Sequence, residues 1–148
     1  MNRVPYYPGC ALKDRSSHLE TSALASSEKL GFVLEEVPDW TCCGATAAHQ
    51  TDPVLAASLP TASLLKVRDM GLDMVVNCAA CYNRMKVANH EVSTDPAMRK
   101  KVSDVVGRDY DGSVKVRHIV EVLLEDVGLD AIKNSIKQTL KGIQVASY

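Results

Sequence analysis

The chain has 148 residues, 46 % of them apolar, and a formal net charge of −1. That length fits one globular domain with a real core, and that charge leaves no electrostatic footprint for nucleic acid or an anionic membrane surface. No apolar run approaches the ~18 residues of a membrane span, and Met1-Asn2-Arg3-Val4 lacks the apolar stretch of a signal peptide, so the cytoplasm is the expected location.

Arg3 to Tyr7 reads as a strand ending at the turn Pro8-Gly9-Cys10. Asp14 to Leu30 reads as an amphipathic helix whose Leu19, Ala23, Leu24 and Leu30 pack the core, with Gly31 as terminator. Phe32 to Val37 is strand-like and ends at Pro38. Gly44 to Gln50 predicts a short helix. Pro53 to Met70 predicts a longer one, capped by Asp52 and stopped by Gly71. Leu72 to Asn77 reads as a buried strand of a parallel sheet. Helices follow at Ala79 to Glu91 and from Asp95-Pro96 to Val106, then a polar loop from Gly107 to Ser113. Val114 to Arg117 is a strand candidate, His118 to Val127 a helix, and a short helix begins near Leu129. Gly142 to Tyr148 reads as a further strand. This alternation predicts an α/β fold with a mainly parallel sheet and helices on its faces. Val145-Ala146-Ser147-Tyr148 echoes Val4-Pro5-Tyr6-Tyr7, so residues 1–148 are expected to be the first of two similar domains in a longer protein.

The five cysteines follow the spacing C-x31-C-C-x34-C-x2-C. In a reducing compartment, clustered cysteines are metal ligands or redox-active thiols more often than structural disulfides, and an odd count leaves one over. Cys10, Cys42, Cys43, Cys78 and Cys81 all follow predicted strands. In an open parallel sheet, the loops beyond the strand carboxyl ends converge on the ligand site. The start of the helix after Cys78 favours thiolate there. Cys42 and Cys43 are adjacent, so only a tight loop aims both sulfurs one way, and Gly44 permits it; a strained vicinal disulfide is the rival. Zinc takes four tetrahedral ligands, and an ordinary iron–sulfur cube takes four cysteines. A fifth cysteine suggests a sulfur that bridges irons or a ligand that can be released.

The pattern, with Tyr6-Tyr7-Pro8-Gly9-Cys10, Cys42-Cys43-Gly44 and Asn77-Cys78-Ala79-Ala80-Cys81, resembles the cysteine-rich CCG domain. The whole chain is similar to the N-terminal half of the B-subunit family of heterodisulfide reductase. The second gap is one residue short of the usual spacing, which a loop deletion explains. The resemblance implies a noncubane [4Fe-4S] cluster held by Cys10, Cys42, Cys43, Cys78 and Cys81. It implies reduction of a disulfide of the CoM-S-S-CoB type. It implies electrons from an iron–sulfur partner of the C or A type of the same reductase. It also implies pairing with a second CCG domain or a homodimer.

His18, His49, His90 and His118 are candidate proton donors to a cleaved thiolate; His49, just past the cysteine pair, is the preferred catalytic candidate. Arg84 and Lys86 could neutralise an anionic cluster, although a solvated helix face is the simpler reading. Asn77 and Asn83 could hydrogen-bond to sulfur, and Trp40 shields the site or packs. Two other functions fit parts of the pattern. One is a zinc-binding structural or interaction module using four thiolates. The other is a thioredoxin-like dithiol oxidoreductase using Cys78 and Cys81 alone.

Overall fold

The computed structural model describes residues 2–45, 47–138 and 141–146. Strands β1 (Asn2–Tyr7), β2 (Phe32–Glu36), β3 (Met74–Val76) and β4 (Val116–His118) form one sheet in the order β2-β1-β3-β4, with every pairing parallel. The helices are α1 (Cys10–Lys13), α2 (Ser17–Lys29), α3 (Ala48–Thr51), α4 (Pro53–Met70), α5 (Ala79–Thr94), α6 (Pro96–Val106), α7 (Ile119–Val122) and α8 (Leu129–Ser135). A π-helical turn, Leu123–Val127, continues α7. The α/β architecture with a parallel sheet is the one expected.

Side chains alternate across a strand, and here that alternation sorts the core into two layers. Tyr7, Met74, Val76 and Val116 face α4, α5 and α6, where Leu64, Val67, Met85, Val92 and Val102 meet them. Tyr6, Phe32, Leu34 and Val75 face the other way, onto Leu12 of α1 and Ile119 and Val122 of α7. The central strand β3 is therefore apolar throughout, as a sheet covered on both faces requires.

The longest helix forms where the sequence marks it. The Asp52 carboxylate accepts hydrogen bonds from the N–H groups of Val54 (2.7 Å) and Leu55 (3.0 Å), Pro53 occupies the first turn, and Gly71 closes the helix at φ 67°. Pro60 lies inside α4. It has no N–H for the carbonyl of Ala56, one turn back, so that carbonyl needs another donor. The Arg84 guanidinium on α5 supplies it, with Nη2 at 3.4 Å.

Several boundaries differ from the sequence reading. The first helix begins at Cys10, breaks at Asp14 and restarts at Ser17. Leu19 and Leu24, read as core, are exposed, because the face of α2 that packs is carried by Ala23, Ser27 and Leu30. β4 sits at Val116–His118 because Val114 is held outside the ladder, its N–H donating to the Tyr110 hydroxyl at 3.2 Å. Residues 142–146 form no strand. Ile143 and Val145 (61 % and 87 % exposed) bury little there, so no sheet face rewards pairing; Ser147 and Tyr148 lie outside the described residues.

The loop before β4 is fastened to α5. The Asn89 amide donates to the Val114 carbonyl (2.7 Å) and accepts from the Tyr110 hydroxyl (2.7 Å). Gly112, at φ 78°, lies so close that a Cβ would fall 2.6 Å from the Asn89 carbonyl oxygen. We expect Gly112→Ala to destabilise the fold by about 1–3 kcal/mol through left-handed strain and this clash. Urea unfolding would check it, and an unchanged midpoint would contradict the account.

Candidate metal centre

Because all four strands run the same way, their carboxyl ends share one edge of the sheet. Each cysteine group sits just beyond one of them. After β1, Pro8-Gly9 turns the chain and Cys10 opens α1. After β2, the loop carries Cys42 and Cys43. After β3, Cys78 is the N-cap of α5 and Cys81 lies in its first turn. β1 and β3 are neighbours whose connections depart to opposite faces, which is where an open α/β sheet leaves a crevice.

The loop that holds the adjacent cysteines is tied down at several points. The Tyr7 hydroxyl donates to the Thr41 carbonyl (2.7 Å), the Thr41 N–H donates to Ser63 Oγ (3.0 Å), and the Thr41 hydroxyl donates to the Leu59 carbonyl (2.8 Å). Trp40 packs edge-on against Tyr7 at 5.3 Å, and its indole N–H donates to Glu36 (2.8 Å). Trp40 therefore fixes the loop base by packing. Gly44 has φ 73°, and a Cβ there would lie 2.9 Å from the Ala48 Cβ. Its N–H donates to Cys42 Sγ at 3.4 Å.

All five cysteines are free thiols. Cys43 and Cys81 are 2 % and 4 % exposed, and their sulfurs share a hydrogen bond at 3.2 Å. The shared bond holds the Cys43 thiol below the ordinary thiol range, at about 6, and pushes the Cys81 thiol up. Cys78, half-buried, packs against the same core cluster as Cys43 and Cys81. Cys10 and Cys42 are both exposed and lie near one another. Burial, then its thiol neighbours, raises the Cys10 thiol. The two groups meet at Tyr7. Its phenol is pushed up by burial and then by Cys43, Cys81, Cys42 and Cys10 in turn. Gly9, at φ 75°, completes the wall: a Cβ there would fall 2.8 Å from Cys81 Sγ.

The thiols thus divide into an inward trio (Cys43, Cys81, Cys78) and an outward pair (Cys10, Cys42). Among the described residues no three Cys, His, Asp or Glu side chains close on a single metal ion. A structural zinc needs four donors on one tetrahedron, whereas a group of several metal atoms can take thiolates that stand apart. The donor set therefore fits a soft, thiolate-bound, polynuclear group. A half-buried cation fits it too: Arg84 Nε is buried without a hydrogen-bond partner, and the Arg84 charge lowers the Cys43 thiol.

The other candidates fall into place individually. His49 is on α3 with an exposed side chain, His18 and His90 are exposed, and none of the three has a side-chain hydrogen bond to a cysteine among the described residues. His118 caps α7, its Nδ1 accepting from the Val120 N–H (3.3 Å), beside the Tyr82 ring at 5.7 Å. Asn77 Nδ2 is buried without a partner, while Asn83 is exposed. Lys86 is exposed over the Tyr82 ring, but Arg84, read as a solvated helix residue, is partly buried against α4. The sequence signal for Arg84 was Pro60, whose unpaired Ala56 carbonyl calls for a donor. A hollow of about 640 Å³ between α2 and α8 has no cysteine in its wall. A smaller one of about 260 Å³ adjoins Cys42 and is walled by Ala47, Ala48, Leu55 and Leu59.

Comparison with known proteins places this geometry. The chain is 30 % identical to the heterodisulfide reductase B-subunit-like protein of Archaeoglobus profundus, over 99 % of this chain and 50 % of the relative. It is 26 % identical to the B subunit of the ferredoxin/F420H2-dependent CoB-CoM heterodisulfide reductase of Methanosarcina acetivorans, over 95 % of this chain and 48 % of the relative. It is 25 % identical to the 8-methylmenaquinol:fumarate reductase membrane anchor subunit of Wolinella succinogenes, over 97 % of this chain and 50 % of the relative. The chain spans about half the length of the curated relatives it matches. Among the described residues no helix is long and apolar enough to cross a membrane. The cysteine-rich domain family matches residues 4–86, which contain all five cysteines. With more than half of its length matched, this chain belongs to the cysteine-rich CCG domain family.

Proposed function

We propose that this chain is an iron–sulfur redox module akin to the B subunit of heterodisulfide reductase. In this reading it reduces a disulfide with electrons from an iron–sulfur partner protein, and it works beside a second CCG domain. The observation that carries the reading is the placement of all three cysteine groups beyond the carboxyl ends of β1, β2 and β3, with Cys43 and Cys81 in sulfur–sulfur contact at 3.2 Å. The similarity to two heterodisulfide reductase relatives supports it.

Cys10, Cys42, Cys43, Cys78 and Cys81 would hold a noncubane [4Fe-4S] cluster, which supplies one-electron transfer and a site where a substrate sulfur can bind. The division of the thiols suits two tasks. Cys43, Cys81 and Cys78 anchor from the interior, where water is excluded. Cys10 and Cys42 stand at the solvent side, where a substrate disulfide can approach. The hollow beside Cys42 gives its apolar arm a surface of Ala47, Ala48, Leu55 and Leu59. Tyr7 does not supply protons: its hydroxyl is committed to Thr41, and burial keeps it protonated. The overall change is a disulfide plus two electrons plus two protons giving two thiols. The protons come from solvent, with exposed His49 the nearest candidate carrier along the chain after the cysteine pair.

Anaerobic reconstitution followed by iron and acid-labile sulfide analysis and EPR tests the assignment. We expect iron and sulfide in equal amounts. Bound zinc without labile sulfide would instead favour a structural module, and protein that takes up no iron would end the redox reading. Cys42→Ser and Cys10→Ser should each lose iron while the melting temperature of the metal-free protein stays put, since exposed substitutions change stability within about 0.5 kcal/mol.

Gly9→Ala tests the wall of the site. The new methyl meets Cys81 Sγ in a backbone conformation that costs an L-residue about 1–2 kcal/mol. We expect a modest loss of fold stability together with a large loss of iron content, read on the same preparation. Full iron loading of this variant would argue against Cys81 as a ligand.

A further inference from the structure

A cationic side chain is set into the protein beside the cysteines without a carboxylate to answer it. Arg84 lies one helical turn after Cys81 on α5, so both side chains project from the same face. Cys81 is in turn bonded to Cys43. The guanidinium is partly buried against α4. Among the described residues it makes no salt bridge, and its one hydrogen bond is the long contact from Nη2 to the Ala56 carbonyl (3.4 Å). Nε is buried and unpaired. A buried charge with unmet donors is costly unless an anion stands beside it. The other guanidiniums show what is missing. Arg117, which is buried and whose Nε is likewise unpaired, is clamped by Asp126 and Glu125, and half-buried Arg99 and exposed Arg108 are each paired with an aspartate. Arg84 has no carboxylate partner among the described residues, and Cys81 lies one turn before it on α5.

Pro60 explains how the guanidinium comes to rest there. By denying the Ala56 carbonyl its helical donor, it creates an acceptor inside α4 that draws the head of Arg84 across from α5. The anchor is neutral, so the positive charge remains uncompensated and available to the cysteines.

We propose that Arg84 is the built-in counter-cation of the cysteine centre, offsetting the negative charge of the iron–sulfur group that Cys43 and Cys81 would hold. This deepens the proposed function and rests on it. Arg84 touches no reacting atom; it is a positioning residue acting through charge. An added electron makes the centre more negative, so the same cation favours the reduced state and raises the reduction potential.

The test compares wild type, Arg84→Gln and Arg84→Lys, each in the metal-free and the iron-loaded form. In the loaded form we expect Arg84→Gln to release iron to a chelator faster by roughly tenfold or more. That is the scale of one near charge at an effective dielectric of about 20. Its reduction potential should fall, and Arg84→Lys should restore both toward wild type. In the metal-free form Arg84→Gln should lose little melting temperature, because the lost long hydrogen bond to the Ala56 carbonyl is offset by removal of an uncompensated charge, so its loss should be smaller than in the loaded form. If Arg84 only bridges α5 to Ala56, both forms will lose stability alike and the potential will not move; that result overturns the inference. Wild type that binds no iron defeats the proposed function and this inference together, whereas a loaded wild type with an unmoved potential in Arg84→Gln defeats the inference alone.

Discussion

The parallel pairing of β1 on both of its sides is the constraint on which the rest depends. β1 pairs with β2 along Asn2 to Tyr6 and with β3 at Tyr6 and Tyr7. Parallel neighbours must all end at the same edge, so three loops far apart in sequence arrive together. Were any one strand reversed, its cysteines would lie at the opposite end of the sheet. The thiols are thus gathered by backbone hydrogen bonding before any metal draws them in. Tyr6 and Tyr7 link the two layers to this edge, each buried on its own face and Tyr7 reaching on to the loop that carries Cys42 and Cys43.

The site is more rigid on its inner side than on its outer side, and the causes are specific. Cys43 and Cys81 are buried, hydrogen-bonded to one another, and backed by Gly9 at a distance that leaves no room for a methyl group. The Cys42–Cys43 loop is held through Thr41 to both β1 and α4. Cys10 opens a four-residue helix at the surface. A buried interior that fixes geometry and an exposed rim is the division that the proposed function would use.

Much of this was legible in the sequence. Helix α4 could be read residue by residue because Asp52, Pro53 and Gly71 are local signals whose chemistry needs no tertiary context. The strand-to-cysteine order was legible because apolar runs followed by Gly or Pro set the positions of the turns. Features that depend on a distant partner were not. Leu19 and Leu24 have helical spacing, yet which face of α2 is buried is decided by the sheet beneath it. The apolar run from Gly142 looks like a strand, but a strand exists only where another can pair with it. Arg84 resembled a solvated helix residue, because the carbonyl that receives it belongs to a helix more than twenty positions earlier and is free only through Pro60.

The flanks of the sheet carry a consequence of their own. β2 and β4 each have one side without a neighbouring strand among the described residues. An open strand invites extension by another chain unless its sequence discourages that. β2 carries Glu35 and Glu36, which engage Arg3 and Lys13 at the sheet margin, and Pro38 follows two residues later. β4 is only three residues long and contains Arg117, whose guanidinium is held by Asp126 in the π-helical turn. Both margins therefore resist further backbone pairing, and growth of this sheet from one protomer into another is disfavoured. Any larger assembly built from this fold would have to use helical surfaces or the rim that bears the thiols.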